Sequence, residues 1–167
     1  MRRIFLSLEK AMQIVSRCGD GLILDGVLKG FPKRLLDNKL LMLLAVDIDG
    51  RALSNASERL KNDKELAMAA AENFWGALQF VSEELMSDKE FTMDLMRRLG
   101  PDAINIIFVY ATKEVKNDKD VLALKEELIN KKHNEVSAKD EQKAVKEEKQ
   151  AESKESQTAE DDEIERN

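Results

Sequence analysis

At 167 residues and a net charge of −6, the chain has the length of one domain, and its charge excludes a general phosphate-backbone binder without a segregated basic face. Hydrophobic residues make up 43% and charged residues 36%, which fits an ordered part with a core joined to a solvated part. The single cysteine, Cys18, excludes an intrachain disulfide and suits a reducing compartment.

Met1-Arg2-Arg3 leads into Ile4, Phe5 and Leu6. Glu9 and Lys10 cut that run before it reaches the roughly 7–15 residues of a signal-peptide core. The longest apolar run, Leu40 to Val46, is far shorter than the about 20 residues of a membrane helix. These features predict a soluble protein with no cleaved targeting segment and no membrane partner. The segment 1–35 reads as a degenerate helical repeat, or cap, spanning Leu8 to Gly30, in which Met12 precedes Asp20 at the same interval as Met42 precedes Gly50. Cys18-Gly19-Asp20-Gly21 supplies its turn.

The segment 36–112 holds an internal repeat, with units near 36–60, 61–85 and 86–110. Asp37, Asp63 and Asp88 recur at intervals of 26 and 25, and so do Met42, Met68 and Met93. Gly50, Gly76 and Gly100 follow at 26 and 24. An apolar triplet comes after each glycine: Leu53, Ala56, Leu60, then Leu78, Val81, Leu85, then Ala103, Ile106, Tyr110, with a constant interval between equivalent members. Each Asp is expected to cap a helix N-terminus. A helix with apolar residues at i, i+4 and i+8, such as Leu66, Ala70 and Phe74, should follow, and Gly should end it in the left-handed region. Pro101 suits the first position of the next helix. The fold class is therefore all-α, a tandem array of short helical hairpins of about 25 residues stacked on one another. The segment 113–130, opening at Asn117-Asp118-Lys119 with Val121, Leu124 and Leu128, reads as a capping helix. The segment 131–167 carries 8 Lys/Arg and 12 Asp/Glu and no aromatic residue. It reads as a disordered charged tail, in which Lys139 to Gln150 has the composition of a transient helix.

Candidate chemistry is sparse. Asp47-x-Asp49-Gly50 after an apolar run has the look of a haloacid dehalogenase-type phosphatase strand, with Mg²⁺ between two aspartates. Against it, Arg51 stands where that motif carries threonine or serine, and Asp47 and Asp49 align in the repeat with Asn73 and Trp75. The aligned Ala69-Ala70-Ala71-Glu72 is helical by propensity, and no alternation of strand and helix surrounds the motif. A calcium loop with Asp47, Asp49 and Glu58 as first, third and twelfth residues fails at Arg51 and Ala52. His133, the only histidine, lies in the tail, so His-dependent triads and zinc sites have no basis. Cys18 has no histidine in the ordered part to activate it and reads as a buried or idle thiol. The pairs Lys33-Arg34 and Arg97-Arg98 lack interleaved aromatics and predict a solvated face rather than nucleic-acid contact. Met42, Met68 and Met93 read as a core ladder. Phe74, aligned with Ile48, reads as core. Trp75, aligned with Asp49, is the candidate partner-binding residue. No catalytic, cofactor-binding or metal residue is expected, nor any small-molecule ligand.

The stretch from Lys61 to Ile104, with Asp63-Lys64-Glu65, Gly76, Leu85 and Asp88-Lys89-Glu90, resembles the short helical repeats described as domain of unknown function 4116. The resemblance runs from about Leu35 to Tyr110. It implies tandem repeats with no assigned activity or cofactor, of a kind found in intracellular bacterial pathogens, protists and large viruses and effector-like in the bacterial setting. The acidic cluster Glu160 to Glu165 fits the glutamate-rich C-terminal signals of type IV secretion. The expectation is a non-enzymatic repeat protein that binds a protein partner, cytoplasmic or secreted into a host cell. The alternative is the Mg-dependent phosphatase using Asp47 and Asp49.

Overall fold

The computed structural model describes residues 6–19 and 21–139, and no strand occurs among them. In chain order the helices are α1 (Leu8–Val15), α2 (Gly21–Lys29), α3 (Lys33–Leu36), α4 (Lys39–Ile48), α5 (Glu58–Lys61), α6 (Lys64–Asn73), α7 (Glu83–Met86), α8 (Lys89–Leu99), α9 (Ile104–Tyr110) and α10 (Lys113–Lys116). Residues 119–139 form α11. Two 3-10 helices, Gly50–Asn55 and Trp75–Phe80, follow α4 and α6, and a shorter one, Pro101–Ala103, leads into α9. The chain divides after Glu126 into two compact units, and the array lies in the first. The sequence predicts disorder from residue 131, but residues 131–139 are helical with every side chain exposed, as their Ala, Glu and Lys content favours. The rest of the expected tail, including the acidic cluster, lies outside the described residues.

The all-α array repeats one unit: a one-turn helix, a long helix and a 3-10 helix. Long helices begin at Lys39, Lys64 and Lys89 and one-turn helices at Lys33, Glu58 and Glu83. α1, α4, α6 and α8 lie side by side in one layer, while α2, the two longer 3-10 helices and α9 form the second. Between the layers Leu41, Val46, Leu53, Leu60, Leu66 and Ala70 are completely buried, each large aliphatic side chain contributing about 1.5–3 kcal/mol on leaving water. α4 is apolar nearly all round because it is sandwiched between α1 and α6. The Met positions agree with a core ladder at Met42 and Met68, which are buried, and Met93 is half-buried.

The returning arm differs from the α-helix that the apolar triplets predict. An α-helix rises about 1.5 Å per residue and a 3-10 helix about 2.0 Å, so the more extended form lets a short segment run back beside a longer one. Leu53 lies in the 3-10 helix, Ala56 is the extended residue that ends it with its N–H donating to the Leu53 carbonyl, and Leu60 belongs to α5. In the third unit the buried positions are Ile104 and Ile107 rather than Ile106 and Tyr110, because α8 is one residue longer than α6 and shifts the register.

The glycines also depart from expectation. Among the described residues only Gly100 has a positive φ, 75°. At the ends of α4 and α6 the extended residues are Asp49 (φ −151°, ψ 115°) and Phe74 (φ −150°, ψ 108°). Gly50 then opens its 3-10 helix where a Cβ would overlap the Ala70 carbonyl oxygen, so close approach of neighbouring units, and no special dihedral, requires glycine there.

Neighbouring units are tied by hydrogen bonds that repeat. Asp63 and Asp88 cap α6 and α8, accepting from Leu66 N–H and from Glu90 and Phe91 N–H. In the first unit the cap is Asn38, which accepts from Leu41 N–H. Asp37 instead accepts from the Ser57 hydroxyl at 2.5 Å and from Arg59 at 3.1 Å. Each long helix begins with lysine, a poor choice beside the positive end of the helix dipole. Each lysine reaches the cap of the next unit: Lys39 to Asp63 at 2.8 Å, Lys64 to Asp88 at 2.5 Å, and Lys89 to Asp118 at 3.5 Å and Asp120 at 2.6 Å. At Asp63 burial opposes ionisation, but the hydrogen bonds from Lys39 and Leu66 N–H outweigh it and hold the carboxyl below its ordinary value. The Lys64 hydrogen bond does the same at Asp88, against a smaller opposing burial. Lys39 and Lys64 are correspondingly raised by their aspartates.

Asp63→Ala removes both cap and ion pair and is expected to cost about 1 kcal/mol or more in denaturant unfolding, whereas Asp63→Asn keeps a capping oxygen and costs less. Equal losses for the two variants would show that the cap contributes nothing. The carboxylates of Asp63 and Asp88 are depressed in the folded state, so their contribution is complete above the ordinary value of 3.8 and disappears as pH falls through the folded value. The lysines are raised, so theirs is complete below 10.5 and disappears as pH rises through the folded value. Melting temperature measured against pH should therefore fall at both ends, and the acid-side fall should shrink in Asp63→Asn.

Candidate partner-binding site

The second turn of the array places two large aromatics side by side at the surface. α6 ends at Asn73, Phe74 takes an extended conformation, and Trp75 opens the 3-10 helix. Asn73 is held by the preceding unit: its Nδ2 donates to the Asp47 carbonyl and its Oδ1 accepts from Gly50 N–H, both at 2.9 Å. One unit on, Arg98 reaches back in the same way to Glu72 at 2.7 Å. The turn is therefore anchored on both sides while its two aromatics stand partly in solvent, Phe74 and Trp75 each 41% exposed. The Arg51 guanidinium lies 5.4 Å from the Phe74 ring centroid, within cation–π range. Beside them opens a cleft of about 460 Å³ lined by Asn73, Phe74, Trp75, Gly76 and Ile106. None of these side chains titrates, so the cleft suits an apolar side chain and offers no acid–base group.

Phe74 therefore differs from its expected core role. Matching on glycine pairs it with Ile48, but the backbone pairs it with Asp49, whose φ and ψ it shares. Trp75 correspondingly occupies the place of Gly50, since each is the first residue of its 3-10 helix. Ile106 is not legible in the sequence as a cleft residue, because its place beside Phe74 depends on how α9 packs against the preceding 3-10 helix.

The strand required by the phosphatase reading is helix α4. Asp47 is exposed on it, while Asp49 is 8% exposed beyond its end and accepts from Arg51 N–H at 2.9 Å and Arg51 Nε at 3.1 Å. Asp49 and Asp25 line a second cleft of about 320 Å³. Lys29 at 2.6 Å and Asn55 at 3.1 Å hold the Asp25 carboxyl below its ordinary value. Among the described residues, no three His, Cys, Asp or Glu side chains cluster as metal ligands. Glu58 lies in the first turn of α5 and pairs with Lys61 at 2.9 Å. Cys18 is buried, with Sγ 3.4 Å from the Ile14 carbonyl oxygen. His133 is exposed on α11. Lys33 and Arg34 are exposed on α3, and Arg34 donates to the Leu6 carbonyl at 2.8 Å. Arg97 pairs with Asp94 at 3.1 Å. No described helix is long and apolar enough to cross a membrane.

The repeat has counterparts among known protein families. The model of the family described as Domain of unknown function (DUF4116) matches residues 38–86 and again 63–108. The two matches overlap over one long helix and its return, as a repeat offset by one unit requires. Neither the curated proteins nor the solved structures give a match.

Proposed function

From the match of residues 38–108 to the DUF4116 family, we propose that the protein is a non-enzymatic helical-repeat module that binds a protein partner through Trp75. The observation that carries the reading is the pair of adjacent aromatics, each 41% exposed, beside an apolar cleft on a turn held by Asn73. Ordered, partly exposed tryptophan is enriched among the residues that dominate interface energetics, and a rigid support lowers the entropy lost on binding. The apolar lining favours a side chain of the partner over a charged metabolite.

Full-length protein used as bait, with Trp75 intact or as Trp75→Ala, tests this. The partner recovered by the intact protein is expected to bind the variant at least about tenfold more weakly, with the helical circular dichroism and melting temperature unchanged. Equal affinity for both proteins would falsify the assignment of Trp75.

Delivery into a host cell is the finer form of the proposal. It is supported by the sequence cluster Glu160 to Glu165, which lies outside the described residues. A translocation reporter fused to the chain should lose delivery when Glu160 to Asn167 is removed. Undiminished delivery sinks the secretion part and leaves the binding part standing.

A further inference from the structure

The Trp75 cleft is one end of a longer seam between the second 3-10 helix and α9. Past Gln79 and Tyr110 lies an opening of about 550 Å³ that continues between α7 and α10, where Met86 and Thr112 line it and the exposed Glu83, Lys113 and Glu114 border it. Gly76 and Gln79, one on each opening, are three apart on a 3-10 helix and so share a face. Ile106 and Tyr110 are four apart on α9 and also share a face. Both openings therefore lie along one side of the seam, with Ile106 and Tyr110 separated by about 6 Å of helix rise.

The second opening has an identifiable cause. At the two earlier junctions a serine ties the units together: the Ser57 hydroxyl donates to Asp37 at 2.5 Å and the Ser82 hydroxyl to Asn62 at 2.6 Å. Their N–H groups donate to the carbonyls of Leu36 at 3.2 Å and Lys61 at 3.1 Å. Thr112 stands at the third junction, and its buried hydroxyl makes no hydrogen bond with a described residue. The one-turn helices α3, α5 and α7 start at the evenly spaced Lys33, Glu58 and Glu83, but α10 starts at Lys113, later than that spacing requires. The extra chain displaces the rung. The rim is left with two carboxylates, Glu83 and Glu114, and one ammonium, Lys113. None of the three makes an ion pair with a described residue, and all are exposed.

We propose that this seam binds an extended peptide segment of the partner, with an apolar side chain in the Trp75 cleft and a Lys or Arg two residues along facing Glu83 and Glu114. In an extended chain, residues i and i+2 point to the same side about 6.6 Å apart, close to the rise of about 6 Å between Ile106 and Tyr110, which border one opening each. A helix about 10 Å across is too wide to enter a seam between packed elements. The net negative rim selects a basic side chain. This inference rests on the reading of Trp75 as the partner anchor.

A phage-displayed library of random peptides, selected on the full-length chain, tests it. Selected peptides are then measured by fluorescence anisotropy against the intact protein, Trp75→Ala, and a Glu83→Lys, Glu114→Lys double variant, each checked for an unchanged melting temperature. The expected motif is an apolar residue, any residue, then Lys or Arg, with affinity falling at least about tenfold in either variant and weakening with salt. Peptides that need Trp75 but bind the double variant equally well overturn the seam and leave the Trp75 anchor in place. Peptides indifferent to Trp75→Ala, or a selection that yields none, count against the anchor itself.

Discussion

Each unit of this protein is joined to the next by a carboxylate with two tasks. Asp63 and Asp88 each cap their own helix and accept the lysine that opens the helix before it. Lysine at a helix N-terminus opposes the dipole, so it is tolerated here only because a carboxylate from the neighbouring unit faces it. The same carboxylate satisfies an N–H group that would otherwise lack a partner. Sequence repetition thereby becomes spatial repetition, since the groups that start one helix also define the position of the next. An apolar core alone would hold the layers together, yet it would not specify their offset as sharply.

The rest of the array follows from fitting two unequal arms into one unit. A short return beside a longer helix is accommodated by 3-10 geometry, which stretches the shorter arm. The extended residue before each return, Asp49 or Phe74, then lies at the unit boundary. At the first boundary that place carries a carboxylate that caps the return through Arg51 N–H. At the second it carries an aromatic ring under the Arg51 guanidinium. One position in the repeat is thus structural in one copy and surface-forming in the next. The third boundary changes again, with Gly100 in the left-handed region and a true α-helix as the return, and the displaced Thr112 rung leaves an opening between α7 and α10.

Much of the fold is legible in the residues, and the reasons for the misreadings are specific. Acidic residues before Lys-Glu pairs mark two helix starts correctly. The spacing assigns Asp37 a cap that belongs to Asn38, because adjacent Asp and Asn are equally good caps and only the Ser57 and Arg59 contacts separate them. A spacing of three is shared by α and 3-10 helices, so Leu53 and Ala56 do not distinguish them. Matching the units on glycine displaces Phe74 and Trp75 by one place, which hides the exposure of Phe74. Asp47 and Asp49 look paired because they are two apart in sequence; the helix end between them leaves one exposed and the other buried.

Periodicity, capping residues and composition are local properties, and they suffice for the all-α class, the period of the repeat and the absence of a histidine from the array. Packing between units sets which glycine is needed for close approach, which aspartate binds the next unit, and that Ile106 meets Phe74 and Trp75 across a unit boundary. Those outcomes depend on distances between residues far apart in the chain, which are set by how the two arms of each unit pack and not by the residues that flank them.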